Sequence, residues 1–354
     1  MFIDRKEGGD DMEIKRTEQN AIDILKFALA IFVLTIHSGV DKTVISPLIR
    51  IAVPTFFIIS AYLFFSKIEK MNDKREELNA LWHLVKRNLL LYAFWVAVQF
   101  PIFLYSNHYY VDFFGKGIWY AIRDILFGGG FTGAWYIIAL ALGTIVIYFL
   151  SRKISAGWLL LITFPLYVMC CFCTNYRGLF ASDGWVTTFN TVYEQITQNA
   201  FNTSLPGALI WIAMGNWLVK HQKSIKNNLL YIVLGVSVVL IVIERCLIVK
   251  YHLAYLDDCY FSLLPLCPSL FLLIKRIDFS FESKFRFREM STLIYVIHGT
   301  CGRIVGFICK AVPLDIMKYS LTKLSITLLA ALIGGLVFLW IRNRSKLAVL
   351  KYAC

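Results

Sequence analysis

The sequence has nine cysteines and six histidines, but it lacks any full set of them at metal-ligand spacing. No zinc or haem constellation is visible, so the expected site uses no metal. Cys170, Cys171, Cys173, Cys267, Cys301 and Cys309 all fall inside apolar runs. Cysteines in such positions behave as small buried hydrophobes, which argues against a disulfide framework. A cleavable signal is also missing: residues 1–19 are charged throughout, and the first apolar run is too long and too acidic-flanked for a signal core. Met12 is an alternative start to Met1. No internal repeat of the kind built into paired transporter halves is present, which disfavours a two-half secondary carrier. The glycines at 128–130 lack the strand, helix and lysine of a phosphate loop and read as a turn.

Apolar surface is abundant instead. Of 354 residues, 58% are hydrophobic and 16% aromatic. A water-soluble domain of this length could not hide so much, because its core grows more slowly than its chain. Lipid is the expected solvent, and the lipid bilayer the first expected partner. The net charge of +13 would suggest nucleic acid in a soluble protein; here no nucleic acid is expected, because the placement of the charge matters more than its sum.

Apolar runs of about 17–25 residues recur ten times, near 20–39, 47–66, 84–105, 132–151, 157–174, 205–220, 228–248, 258–275, 289–309 and 321–341. Most of the 36 basic residues fall in every second connection and at the two ends, among them Arg16, Lys74, Lys86, Arg87, Arg152, Lys223, Arg276, Arg288 and Arg344. The alternate connections hold Asp41, Asp112, Asp183, Glu194, Asp257, Asp258 and Asp315. Basic residues stay on the cytoplasmic side, so the reading is an all-α, polytopic membrane bundle of about ten spans with both termini in the cytoplasm. Residues 1–19 and 342–354 are then cytoplasmic tails around a membrane domain over 20–341. Two outer connections are long. Residues 117–127 form an amphipathic piece suited to the membrane surface, and 175–204 reads as an outer cap.

The run 20–39 is the unusual one, because it carries Asp23, Lys26 and His37. At 100° and 1.5 Å per residue, the step from Lys26 to His37 returns to one helix face about 16 Å further along, and Asp23 sits one turn before Lys26. Ionisable groups in mid-span each cost about 2.5–3.5 kcal/mol on insertion scales, so a same-face trio is expected to face protein rather than lipid. Glu244 and Arg245, by contrast, read as a structural pair or as interfacial groups.

Four stretches together resemble the membrane-bound acyltransferase family 3. Ile22, Asp23, Lys26 and His37 stand at the positions of the family's Ile-Asp-x-x-Arg, ten residues, His pattern. Arg50 followed by Ala-Val-Pro-Thr-Phe-Phe-Ile-Ile-Ser is similar to its Arg, Pro, Phe-Phe, Ser-Gly segment. Trp135 and Tyr136, after Gly133 and Ala134, resemble a Trp-Tyr run opening a middle span. Ser291 through Tyr295 to His298 resembles the late Ser-x-x-Ile-Tyr-x-x-His. Two departures stand out. Lys26 replaces an arginine and loses its planar fork, and Ala61 after Ser60 replaces a glycine that would allow close backbone approach.

The resemblance implies an enzyme of the plasma membrane that moves an acyl group, acetyl first among candidates, from cytoplasmic acyl-CoA to a hydroxyl of an envelope polysaccharide or related acceptor. Acetyl-CoA serves as donor substrate and a homo-oligomer is compatible. His37 suits the base, or a transient acyl carrier. Lys26 is assigned to the donor's phosphates with Asp23 orienting it, and Lys86 and Arg87 to the same anion, although the positive-inside rule accounts for those two equally well. Arg50, Trp135 and Tyr136 are assigned to the acceptor. His298 is assigned to the acceptor, to His37 or to an oxyanion; a histidine buried against a carbonyl is its plain structural counterpart. A subgroup of the family forms the membrane part of vancomycin-resistance serine racemases and is associated with serine uptake. This gives the alternative reading, a membrane domain moving a small polar molecule. The chain ends at Cys354 without a racemase domain, which points to the stand-alone acyltransferases.

Overall fold

A computed structural model describes residues 17–38, 40, 46–105, 134–197, 199–311, 320–345, 350 and 354. The pieces expected at 117–127 and 128–130, and Gly133, lie outside the described residues. The chain enters through a short strand, β1 (Thr17–Asn20), and then α1 (Ala21–His37). Asn20 caps α1, accepting from the backbone of Ile22 and Asp23 at 3.0 and 3.2 Å, while the Asp23 carboxylate accepts from the Asn20 N–H. This reciprocal arrangement satisfies the exposed N–H groups of the first turn, so Asp23 starts the helix as well as facing the interior.

The apolar runs give the helices that follow: α2 (Ser46–Ile49), α3 (Ala52–Ile68), α4 (Lys74–Tyr105), α5 (Trp135–Ser151), α6 (Ala156–Cys173), α7 (Trp185–Thr197), α8 (Leu205–His221), α9 (Asn227–Lys250) and α10 (Leu263–Lys275). A second strand, β2 (Ser280–Ser283), precedes α11 (Phe287–Ala311) and α12 (Ser320–Arg344). Every expected run falls on a helix. Among the described residues, five stretches combine the length and low charge needed to cross a membrane: Ser46–Ile68, Ala156–Cys173, Asn227–Lys250, Phe287–Ile308 and Leu321–Arg344. The helices Trp135–Ser151 and Leu263–Lys275 are apolar but shorter.

Three boundaries differ from the sequence reading. The second run breaks after Ile49, leaving Arg50 between α2 and α3. The run expected from 258 becomes helical only at Leu263, because Asn175 accepts the backbone N–H groups of Asp258 and Cys259 and holds them in a loop. The tail assigned to 1–19 ends in structure: β1 pairs antiparallel with β2, Thr17 opposite Ser283 and Asn20 opposite Ser280.

That strand pair fixes the architecture around the candidate site. It ties the start of α1 to the start of α11, so the two helices set out from one point, run in the same direction and pack along their length. One apolar core centres on α3, α6, α8 and α10; a second joins α1, α4, α5, α11 and α12. Close helix approach in lipid depends on small residues, and here Gly215 of α8 meets α3: a Cβ on it would lie 2.6 Å from Ala61 Cβ and 2.9 Å from the Ile58 carbonyl oxygen. Gln99 on α4 donates to the Val296 carbonyl of α11 at 2.6 Å, a buried polar tie between helices. In the expected outer cap, α7 turns Val186 and Asn190 inward and leaves Trp185, Val192 and Ile196 exposed.

Candidate functional site

Helices α1, α3, α5 and α11 bring the four motif stretches together. Ser60 Oγ lies 2.9 Å from the Tyr136 hydroxyl, which also donates to the Phe56 carbonyl at 3.1 Å. The Tyr295 ring sits edge-on to Tyr136, with centroids 5.5 Å apart, and tilted to Phe56 at 6.4 Å. Above this knot the rings of His37 and His298 stack, with centroids 4.9 Å apart and planes 27° from parallel. Residues separated by hundreds of positions thus meet at one place.

The two histidines differ in setting. His37, in the last turn of α1, is exposed, whereas His298 is 6% exposed. The Nδ1 of His298 lies 2.6 Å from the Tyr295 carbonyl oxygen. A carbonyl can only accept, so Nδ1 carries the proton and Nε2 of the neutral ring keeps its lone pair. The buried-against-a-carbonyl arrangement and the contact with His37 therefore occur together in one residue. Stacked rings share a face rather than an in-plane hydrogen bond, so His298 holds His37 by packing.

His37 borders two cavities. One, about 180 Å³, is walled by Phe57, Trp135, Tyr167 and Trp211, with Arg50, Asn202 and Asp258 among its polar residues. The other, about 240 Å³, lies between α1, α11 and α12 and includes His298, Arg303, Lys323 and Thr327. Trp135 lines the first cavity. Tyr136 does not line either one; its hydroxyl is held by Ser60 and Phe56, so it shapes the knot beneath the cavities.

Arg50 takes a different partner from the one expected. Its Nη1 bonds Asp258 Oδ1 at 2.5 Å, and Asn202 Nδ2 donates to the second oxygen of the same carboxylate at 3.1 Å. The guanidinium thus faces a carboxylate of the protein while lining the first cavity. Asp257, next door, accepts from Ser46, Tyr260 and Arg245. Glu244 accepts from Tyr176, from the backbone of Phe261 and Ser262, and from the Ser262 hydroxyl. Glu244 and Arg245 therefore pin the loop before α10 and do not pair with each other. In that loop, burial pushes the Cys259 thiol well above its ordinary pKa and the Asp258 carboxylate adds to the effect. Cys259 lines the first cavity, and this setting favours the neutral thiol over the reactive thiolate.

At the other end of α1, Asp23 is buried, with its side chain 3% exposed. Its oxygens accept from Arg288 Nε and Nη2 at 2.9 and 3.0 Å. Lys26 was the expected partner of Asp23; it lies within electrostatic reach of it, but the hydrogen bonds go to Arg288. Arg87 and Arg288 also lie within electrostatic reach of Lys26. Lys86 and Arg87 are both exposed on α4. Sequence reasoning missed Arg288, Asp257 and Asp258 as site residues. Arg288 stands three residues before Ser291, close enough to a motif stretch to have been noticed.

Among known proteins, the chain is similar to two amino-acid racemases of Enterococcus faecalis. One is 24% identical over 354 residues, covering 93% of this chain and 47% of the relative; the other is 24% identical over 215 residues, covering 58% and 28%. The chain thus spans less than half the length of these curated relatives. No solved structure matches it. The family model described as "Acyltransferase domain" matches residues 19–343. With that match running from the strand before α1 to the last turn of α12, the chain belongs to acyltransferase family 3, and its apolar helices make it a membrane protein.

Proposed function

We propose that this protein is an integral membrane O-acyltransferase of the plasma membrane, moving an acyl group, acetyl by preference, from cytoplasmic acyl-CoA to a hydroxyl of an envelope glycan or related acceptor. It crosses the membrane about ten times with both termini in the cytoplasm. The observation that carries the reading is the position of His37: it stacks on His298 and borders two separate cavities, an arrangement that suits a group acting between two substrates. Family membership supports acyl transfer as the reaction.

In this scheme His37 takes the proton of the acceptor hydroxyl as its oxygen attacks the thioester carbonyl. The oxyanion collapses, the carbon–sulfur bond breaks, and the CoA thiolate receives the proton from His37. His298, its Nδ1 tied to Tyr295, keeps the His37 ring in place. The aromatic walls of the smaller cavity hold the acceptor. Lys26, about 16 Å along α1 from His37, receives the donor's phosphates together with Lys86 and Arg87 of α4, a span that an extended pantetheine arm covers.

A second reading keeps the fold and discards the reaction: a membrane domain that carries a small polar molecule such as serine. The racemase names of its relatives favour it. Reconstituted protein with acyl-labelled acetyl-CoA separates the two. Label appearing in product or as free acetate supports acyl transfer. Serine accumulating in vesicles with no requirement for CoA, and no loss of thioester, supports the carrier.

A further inference from the structure

We propose that the larger cavity, between α1, α11 and α12, is a site for an oxyanion, either phosphate or carboxylate, carried by the acceptor. The identity of its ligand as the acceptor rests on the acyl-transfer reading; anion binding itself does not. The lining brings Arg303 from α11 and Lys323 from α12 to the two histidines, and no acidic side chain is among its described residues. Lys323 lies within electrostatic reach of the His37 ring. The smaller cavity is the opposite case: its arginine, Arg50, already bonds a lining carboxylate. A negatively charged substrate group is therefore favoured on one side of His37 and opposed on the other.

Two further features point to a ligand. The Thr327 hydroxyl is buried, in a residue 4% exposed, and its oxygen has no hydrogen-bond partner among the described residues. A buried hydroxyl left unpaired is destabilising, so a ligand that supplies an acceptor oxygen to it is favoured. Gly299, one residue past His298, faces open space: a Cβ there would meet nothing within 4 Å. At Gly302, one turn on, a Cβ would meet only Thr327 Cγ2, at 3.7 Å. The α11 wall is smooth where an oxyanion would press against it, with cations to either side and a hydroxyl donor opposite. Bound there, an anionic group sets the attached acceptor beside His37, and its charge stabilises the imidazolium formed when His37 takes the hydroxyl proton.

The test uses the full chain in detergent, with inorganic phosphate as probe and binding read by calorimetry and by the shift in thermal midpoint. Wild type is expected to bind phosphate saturably. Lys323→Gln should lose about tenfold in affinity, as the loss of one charge-assisted contact implies. Thr327→Val should lose less, and Lys323→Arg should keep binding. Lys250→Gln, at the end of α9, should match wild type. Retained helical content and an unchanged midpoint without phosphate exclude misfolding. Glycerol phosphate and micelles doped with phosphatidylglycerol, run as separate arms, tell a soluble phosphate from a lipid-borne one; saturation by either supports the site. Equal phosphate affinity in wild type and Lys323→Gln, or no saturable binding in wild type, overturns the proposal. Saturable, Lys323-dependent binding by a protein that consumes no acetyl-CoA leaves the anion site standing and removes the acyl-transfer reading instead.

Discussion

The carboxylate of Asp23 and the guanidinium of Arg288 form a two-pronged pair, at 2.9 and 3.0 Å, that clamps the starts of α1 and α11 together. The strand pair lies on one side of this clamp, and further along the stacked histidines join the last turn of α1 to the middle of α11. The approach of the two histidines is therefore set by the clamp at the helix starts and by the packing of α1 on α11.

The clamp predicts a coupled stability effect. Arg288→Met leaves a buried carboxylate without its donors, and the expected cost is about 1.5–3 kcal/mol, the range for hydrogen bonds to charged groups. Asp23→Asn keeps an oxygen for the Asn20 N–H, so it should cost less. Thermal unfolding in detergent of both single variants and the double variant checks this, since a true pair gives a double cost below the sum of the singles.

The contact of α3 with α8 gives a sharper contrast. Gly215→Ala forces a methyl group to within 2.6 Å of Ala61 Cβ and 2.9 Å of backbone, and overpacking of this kind costs about 1–3 kcal/mol. Gly235→Ala on α9, where a Cβ meets nothing within 4 Å, should stabilise by about 0.5–1 kcal/mol through helix propensity. Opposite shifts in unfolding midpoint are expected; equal shifts would contradict the packing described.

Much of this arrangement was legible. The spacing of Asp23, Lys26 and His37 places them on one polar face, and the four stretches that carry the family resemblance do meet, through Ser60 with Tyr136, Tyr136 with Tyr295 and His37 with His298. The partners were not legible. A four-residue strand such as Thr17–Asn20 has no signature of its own, and its partner lies more than 250 positions away. Asp257 and Asp258 looked like ordinary residues of a basic-poor loop until folding set them against Arg245 and Arg50. The missing glycine after Ser60 reads as a lost close approach, yet Gly215 on the facing helix supplies it. Local sequence reports which face is polar; which charge neutralises it is decided by tertiary packing.

Cys259 provides a pH-dependent check on the cavity beside His37. Burial, followed by the Asp258 carboxylate, raises its pKa, so the reactive thiolate is scarce at neutral pH and its share grows only as pH climbs. Alkylation at pH 7 should be much slower at Cys259 than at the exposed Cys246, as peptide mass mapping would show. Equal rates would mean that the loop before α10 is open.

Lys26 separates charge from shape. Lys26→Arg restores the family's usual residue and should keep acetyl-CoA turnover, whereas Lys26→Met should raise the KM for acetyl-CoA about tenfold by removing one charge-assisted contact to its phosphates. Steady-state kinetics at saturating acceptor reads the difference.

The measurement that bears most directly on the role of His37 is acetyl-CoA consumption by reconstituted protein, wild type against His37→Ala, with folding verified by the thermal midpoint. Loss of a general base predicts a fall of about 10²–10⁴-fold with little change in that midpoint, since His37 sits exposed in the final turn of its helix. Turnover within a few-fold of wild type would contradict the account.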